Sequence, residues 1–266
     1  MVIDSHTHSM FSHDSRISPE AMARAAIDKG LEYLAFTDHC DRDCLVAGID
    51  WTQINLPQYV TDISRLKEKY KDKIYIALGL EVGYDRRASG HYIKDLSFCD
   101  FDVVINSVHL VGLEDIYLKQ YFEGKTKRYA YESYLNAVYE SLSAPYDYDI
   151  VGHLGYVMRN AQYEDRRLIY EEYREIIDKI LLKIIETDKT LEINSAVKTL
   201  PLLCLPDMDI LARYKELGGN NITFGSDAHQ QERLAQNYDL ICERARGLGF
   251  THWTIYKGRI PYKIII

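Results

Sequence analysis

The chain has 266 residues, 32 Lys+Arg against 40 Asp+Glu and a formal net charge of −8. That acidic balance excludes a general nucleic-acid binder, which needs surplus Lys and Arg to hold phosphate backbones, and leaves room only for a local basic pocket. With 47% apolar and 27% charged residues the chain can bury a large core, which excludes a disordered chain.

The elements expected along the chain alternate strand and helix. A strand at residues 2–5 precedes a helix at 19–29, where Ser18-Pro19 supplies an N-cap with Pro at the first helical position and Gly30 a stop. A strand at 33–37, a helix at 57–70 and strands at 74–80 and 103–107 follow. Then come a helix at 127–143, a strand at 150–152, a helix at 166–187 and a strand at 191–194. A helix at 206–217, closed by Gly218-Gly219, leads to a last strand at 222–225 and a helix at 231–248. Strands alternating with helices imply right-handed crossovers and a parallel sheet, and seven strands suffice to close a TIM-like α/β barrel. Without a repeat or a Pro/Gly-rich linker, residues 1–266 are expected to form a single domain. The longer connections at 40–56, 110–125 and 196–205 are the expected places for substrate specificity.

No apolar run reaches the roughly 20 residues that cross a bilayer; the richest, 176–185, is interrupted by Asp178, Lys179 and Lys183. Met1-Val2-Ile3-Asp4-Ser5-His6 lacks the basic-then-apolar pattern of a secretory signal, so a cytoplasmic address is expected. Cys40, Cys44, Cys99, Cys204 and Cys242 form an odd set without CxxC spacing, which suits reduced thiols.

Ionisable residues of metal-binding type stand at the ends of these strands. The first is followed by His6-Thr7-His8 and Asp14, the second by Asp38-His39, and the third runs into Glu81. Ser107-Val108-His109, Gly152-His153 and Gly225-Ser226-Asp227-Ala228-His229 end three others. Carboxyl ends of barrel strands converge on one face, so residues distant in sequence become neighbours there. The i, i+2 spacing of His6 with His8, and of Asp227 with His229, points two ligands to one side of an extended chain. Either pair alone is weak, but six of the nine histidines lie at strand ends.

The constellation resembles the polymerase and histidinol phosphatase (PHP) superfamily of metal-dependent phosphoesterases. The motif blocks are Asp4-Ser5-His6-Thr7-His8, Thr37-Asp38-His39, Ser107-Val108-His109 and Ser226-Asp227-Ala228-His229, completed by Glu81 in Gly79-Leu80-Glu81-Val82 and by His153. Within the superfamily, Ser18-Pro19-Glu20, Phe36-Thr37-Asp38-His39 and Leu191-Glu192-Ile193-Asn194-Ser195 are similar to stand-alone histidinol-phosphate phosphatases. Gly83-Tyr84 departs from the pattern, since many relatives carry an acidic residue there.

The resemblance implies a distorted seven-stranded barrel and three divalent ions, of Zn, Fe, Mn or Co. One would be held by His6, His8, Glu81 and Asp227, a second by Glu81, His109 and His153, and a third by Asp14, His39 and His229. Glu81 would bridge two ions and, with Asp227 and His229, form the catalytic set. The implied reaction hydrolyses the small phosphate monoester L-histidinol phosphate to L-histidinol and phosphate, in histidine biosynthesis. Chemistry agrees: a phosphate dianion repels hydroxide, so an ionised metal-bound water is the expected nucleophile, with charge on phosphorus countered by the ions.

Fixed positive charge for the phosphate is expected from Arg159, whose planar fork fits phosphate oxygens, and then from Lys198, with Arg16 and Arg42 behind them. His13 could take the place of Asp14 as a ligand. Tyr129, Tyr131, Tyr134 and Tyr139 read as helix packing, whereas Tyr117, Tyr121, Phe122, Glu114 and Asp115 could meet a cationic or aromatic substrate group. Competing readings are a related phosphoesterase acting on phosphotyrosine or another small monoester, an amidohydrolase-type C–N hydrolase, and a metal-binding protein without catalysis. Glu81 argues against the second, whose members usually place a Lys at the bridge.

Overall fold

The protein is represented by a computed structural model that describes residues 1–197 and 203–266. Its strands are β1 (Val2–Thr7), β2 (Leu31–Phe36), β3 (His39–Cys40), β4 (Tyr75–Gly83), β5 (Val103–Ser107), β6 (Leu110–Val111), β7 (Glu114–Asp115), β8 (Ile150–Val151), β9 (Thr190–Asn194), β10 (Ile222–Gly225), β11 (His252–Lys257) and β12 (Ile260–Ile265). The helices are α1 (Pro19–Asp28), α2 (Asp43–Ala47), α3 (Leu56–Tyr70), α4 (Ser89–Leu96), α5 (Lys127–Ser141), α6 (Arg174–Glu186), α7 (Met208–Glu216) and α8 (Tyr238–Gly247).

Seven parallel strands run in the order β1-β2-β4-β5-β8-β9-β10, forming a nearly closed barrel with β3 as a short addition to β4. The seven expected strands are therefore all present. At the seam between β10 and β1, Asp227 N donates to His6 O (2.8 Å), His8 N donates to Ala228 O (3.0 Å), and Thr223 Oγ1 donates to Ser5 Oγ (2.8 Å). Gly225 sits beside this seam, and a Cβ on it would fall 2.1 Å from Glu192 Oε1 and 2.7 Å from His6 Cβ.

The helices start where their capping side chains stop the preceding loop. Ser18 accepts from Ala21 N, Asn55 from Gln58 N and Thr126 from Tyr129 N, each satisfying a donor with no partner inside the helix. The apolar face of α1, with Met22, Ala23 and Ala26 buried, packs against β2.

Two expected helices are shorter than their periodicity suggests. The stretch 166–187 becomes α-helical only at Arg174, because Leu168 N is bonded to Met158 Sδ (2.8 Å) and Tyr170 N to Asp209 Oδ2 (3.0 Å), partners outside this stretch. In the stretch 231–248, Ala235 and Asn237 adopt φ of 53° and 61°, and Ala235 N donates to Asp4 Oδ2 (2.9 Å), so α8 begins at Tyr238. On α5, Tyr131 and Tyr134 are core residues as expected, whereas Tyr129 and Tyr139 are exposed.

The β11–β12 hairpin was not expected. Gly258 and Arg259, with φ of 57° and 66°, make the two-residue turn that suits the strand twist. Gly258 N donates to Asp102 Oδ1 (3.0 Å) and Arg259 Nε to Asp149 Oδ2 (2.5 Å), acidic residues directly before β5 and β8. The hairpin thus covers the end of the barrel opposite the carboxyl ends of the strands. Among the described residues, no helix is long and apolar enough to cross a membrane.

Candidate metal centre

All nine residues expected as ligands meet at the carboxyl ends of the barrel strands. His6 and His8, two apart at the end of β1, bring their Nε2 atoms to 3.0 Å. Glu81 Oε2 lies 3.4 Å and 3.5 Å from those two nitrogens. The other oxygen, Oε1, is 2.7 Å from His153 Nε2 and 3.3 Å from His109 Nε2. One carboxylate thus addresses two imidazole pairs.

Asp227 Oδ1 is 3.2 Å from His8 Nε2 and 3.8 Å from His6 Nε2, joining the first group. Its backbone has a φ of 52°, a region that Asp tolerates better than most residues, and this turn also carries His229 into the site. Asp14 lies between His229 Nε2 (3.0 Å) and His39 Nε2 (3.6 Å). The structure therefore brings together each of the three expected sets.

Among the described residues, four groups place three ligand atoms within 4.8 Å of one another: His6, His8 and Glu81; Glu81, His109 and His153; His8, His39 and His229; and His39, Asp41 and His109. The third has His8 where the sequence suggested Asp14, and the fourth contains Asp41, which sequence reasoning missed. Its signal was the i, i+2 spacing from His39, the pattern already used for Asp227 and His229. Buried His39 Nδ1 faces Glu81 Oε2 (2.9 Å) and Asp41 Oδ2 (3.3 Å), and His229 Nε2 faces Asp14 Oδ2 (3.0 Å), yet none of the four buried atoms Glu81 Oε2, Asp41 Oδ2, His39 Nδ1 and His229 Nε2 makes an aligned hydrogen bond. Converging imidazole nitrogens, carboxylate oxygens and orphaned buried acceptors form a donor set that fits divalent cations of borderline softness.

A layer of hydrogen bonds behind these residues orients the rings. His8 Nδ1 is 2.9 Å from Ser12 Oγ, which donates to Asp38 Oδ1 (2.7 Å). His109 Nδ1 is 2.9 Å from Asp41 Oδ1, and Ser107 Oγ donates to Glu81 Oε1 (2.7 Å). His6 Nδ1 is 2.7 Å from Glu192 Oε1, a residue of the Leu191-Glu192-Ile193-Asn194-Ser195 motif to which the sequence assigned no role of its own. Anchoring Nδ1 leaves Nε2 facing inward, as metal-ligating imidazoles require.

The charges are strongly coupled. Burial opposes ionisation of Glu81, yet His6, His109 and His39 hold its pKa well below the ordinary carboxylate value. Asp227 is likewise low despite burial, through Arg159, His6 and His8. His8 is pushed down to about 3 by burial and by His229 and His39, so it stays neutral. His109 is raised to about 10 against its burial by Asp41 and Glu81.

The centre forms the floor of a cavity of about 530 Å³. Arg159 reaches it as expected: its Nη2 donates to Asp227 Oδ2 (2.5 Å) and Asn194 Oδ1 (3.0 Å), and its guanidinium lies over the Tyr156 ring, 4.7 Å from the centroid. Trp51, Tyr117, Leu118, Asp115 and Arg233 also line the cavity. His13 does too, stacked on Trp51 at 4.5 Å and 11°. Lys198 lies outside the described residues. Arg42 is tied to Asp95 (2.6 Å) and Gln53 (2.9 Å), while Arg16 donates to the His13 and Ser15 carbonyls, and neither lines the cavity.

Comparison with known proteins agrees with this geometry. The PHP domain family matches residues 4–196. A histidinol-phosphatase of Lactococcus lactis subsp. lactis is 38% identical, with 96% of this chain and 94% of the relative covered. A probable histidinol-phosphatase of Clostridium acetobutylicum is 29% identical, with 90% of each covered. Among solved structures, a histidinol phosphate phosphatase from L. lactis subsp. lactis, complexed with zinc, L-histidinol and phosphate, superposes with a TM-score of 0.89 at 33% identity, covering 98% of this chain and 99% of that one. From these matches and the strand-end ligands, the chain belongs to the PHP domain family.

Proposed function

We propose that the protein is a metal-dependent phosphomonoesterase that hydrolyses L-histidinol phosphate to L-histidinol and phosphate, as a step of histidine biosynthesis. The observation that carries this reading is Glu81 reaching two imidazole pairs from its two oxygens, on the floor of a cavity that Arg159 enters. In this reading three divalent ions are held by His6, His8, Glu81 and Asp227, by Glu81, His109 and His153, and by Asp14, His39 and His229. Bound there, the ions would lower the pKa of water and counter the charge that develops on phosphorus.

The chain's own residues supply orientation. Glu81 fixes the spacing of the first two groups, and Asp227 belongs to the first while also holding Arg159. The guanidinium of Arg159, steadied by Asp227, Asn194 and Tyr156, keeps Nε buried and without a partner, a donor available to a phosphate oxygen. Trp51, Tyr156 and Leu118 give the cavity aromatic and apolar surface, and Asp115 adds a carboxylate. A phosphate at one end, with a flat ring and an ammonium at the other, describes histidinol phosphate. The five cysteines are free thiols, four of them buried, which suits the reducing cytoplasm.

The test is a substrate panel on zinc-loaded, purified protein. A kcat/KM for histidinol phosphate well above those for phosphotyrosine and other small monoesters supports the reading, and equal values remove the assigned substrate. Phosphate release that survives complete chelation removes the metal mechanism.

A further inference from the structure

Strand β9 contributes none of the nine ligands, yet it pairs with both β8 and β10, which lead into His153 and Asp227. Glu192 and Asn194, two apart on this strand, share one face, and both are fully buried. Glu192 Oε1 is 2.7 Å from His6 Nδ1 and accepts from Asn194 Nδ2 (3.1 Å), while Oε2 accepts from the backbone N of His153 (2.6 Å). His6 belongs to the His6, His8 and Glu81 group, and His153 to the Glu81, His109 and His153 group.

We infer that Glu192 is a positioning residue that couples two ion-binding groups, fixing His6 through Oε1 and the His153 backbone through Oε2. The inference rests on the metal reading proposed above. Two of the partners of Glu192, an amide N–H at Oε2 and a side-chain NH₂ at Oε1, can only donate, so both of its oxygens act as acceptors. The third, His6, therefore carries its proton on Nδ1 and turns the Nε2 lone pair toward Glu81 and His8. A glutamine of the same shape has one accepting oxygen for three donors, so it sets an N–H against either His6 or His153. The neighbouring Gly225 fits the same design, because a Cβ there would occupy the space in which Glu192 meets His6.

The experiment compares wild-type and E192Q protein, stripped of metal and titrated with zinc against a competing chelator, with thermal unfolding of both apoproteins measured in parallel. The expected result is that two zinc equivalents weaken together, each by about 10- to 100-fold, while E192Q apoprotein still unfolds cooperatively. Zinc binding equal to wild type, or weakening of one equivalent alone, overturns the coupling. Because the variant can fail to fold, a second measurement uses wild type only: nitrogen NMR of ¹⁵N-histidine protein loaded with zinc should show His6 protonated at Nδ1 and metal-bound through Nε2. Binding through Nδ1 overturns the inference. Wild-type protein that takes up no zinc overturns the metal reading itself, an outcome distinct from equal binding by the two proteins.

Discussion

Arg159 Nη2 lies 2.5 Å from Asp227 Oδ2, so the cation expected to meet phosphate is held by a residue of the proposed ion-binding set. Arg159→Lys keeps the charge but loses the planar fork. Its kcat/KM for histidinol phosphate should fall by roughly 10²-fold, the scale for removing one donor to a developing oxyanion. Steady-state phosphate release checks this, and an unchanged kcat/KM removes Arg159 from the site.

Glu81→Ala removes a side chain that faces both imidazole pairs. Turnover should drop to near background and bound zinc should fall, with the barrel still folded by circular dichroism. Full activity in this variant excludes the bridging role.

The raised pKa of His109 gives a pH dependence with a defined sign. In metal-free protein His109 titrates at about 10 rather than the ordinary 6.5, so its proton stabilises the folded state below pH 6.5 and that contribution is lost as pH rises toward 10. A protonated imidazole cannot ligate, so zinc uptake at this group expels the proton, and His109 alone should raise apparent affinity about tenfold per pH unit across this window. Calorimetric titration in buffers of different ionisation enthalpy measures the released protons. Uptake without proton release contradicts the raised pKa.

Asp115 stands in the cavity wall, with Oδ1 accepting from Tyr117 N (2.8 Å). Asp115→Asn should raise KM for histidinol phosphate by about tenfold, the loss of one charge-assisted contact. A generic aryl phosphate, which carries no ammonium, should show an unchanged KM. Equal effects on both substrates would place the ammonium elsewhere.

The sequence revealed most of the fold because both of its signals are local. Each barrel strand is a short apolar run, and each except β9 leads into an expected ligand, with the i, i+2 alternation setting direction, so His6 could be paired with His8 and Asp227 with His229 in advance. The residues that hold those ligands were not legible in the same way. Glu192 reads as one more polar residue of a strand until the fold sets it against His6, 186 positions away. Trp51 reaches the cavity from an irregular segment without periodicity to announce it, and Arg233 from a 3₁₀ turn at the start of a stretch that reads as one continuous helix. Helix α6 was overextended for a related reason: what stops it is a set of distant hydrogen bonds, not a breaker in its own sequence.

The seam of the barrel has a mechanical consequence. The backbone atoms that join the first barrel strand to the segment after the last one belong to His6, His8, Asp227 and Ala228, and three of these residues are also proposed ion ligands. Prying those two edges apart and dismantling the centre are therefore one event. Cations seated there should act as a clasp, and amide hydrogens along this line should exchange far more slowly once zinc is added.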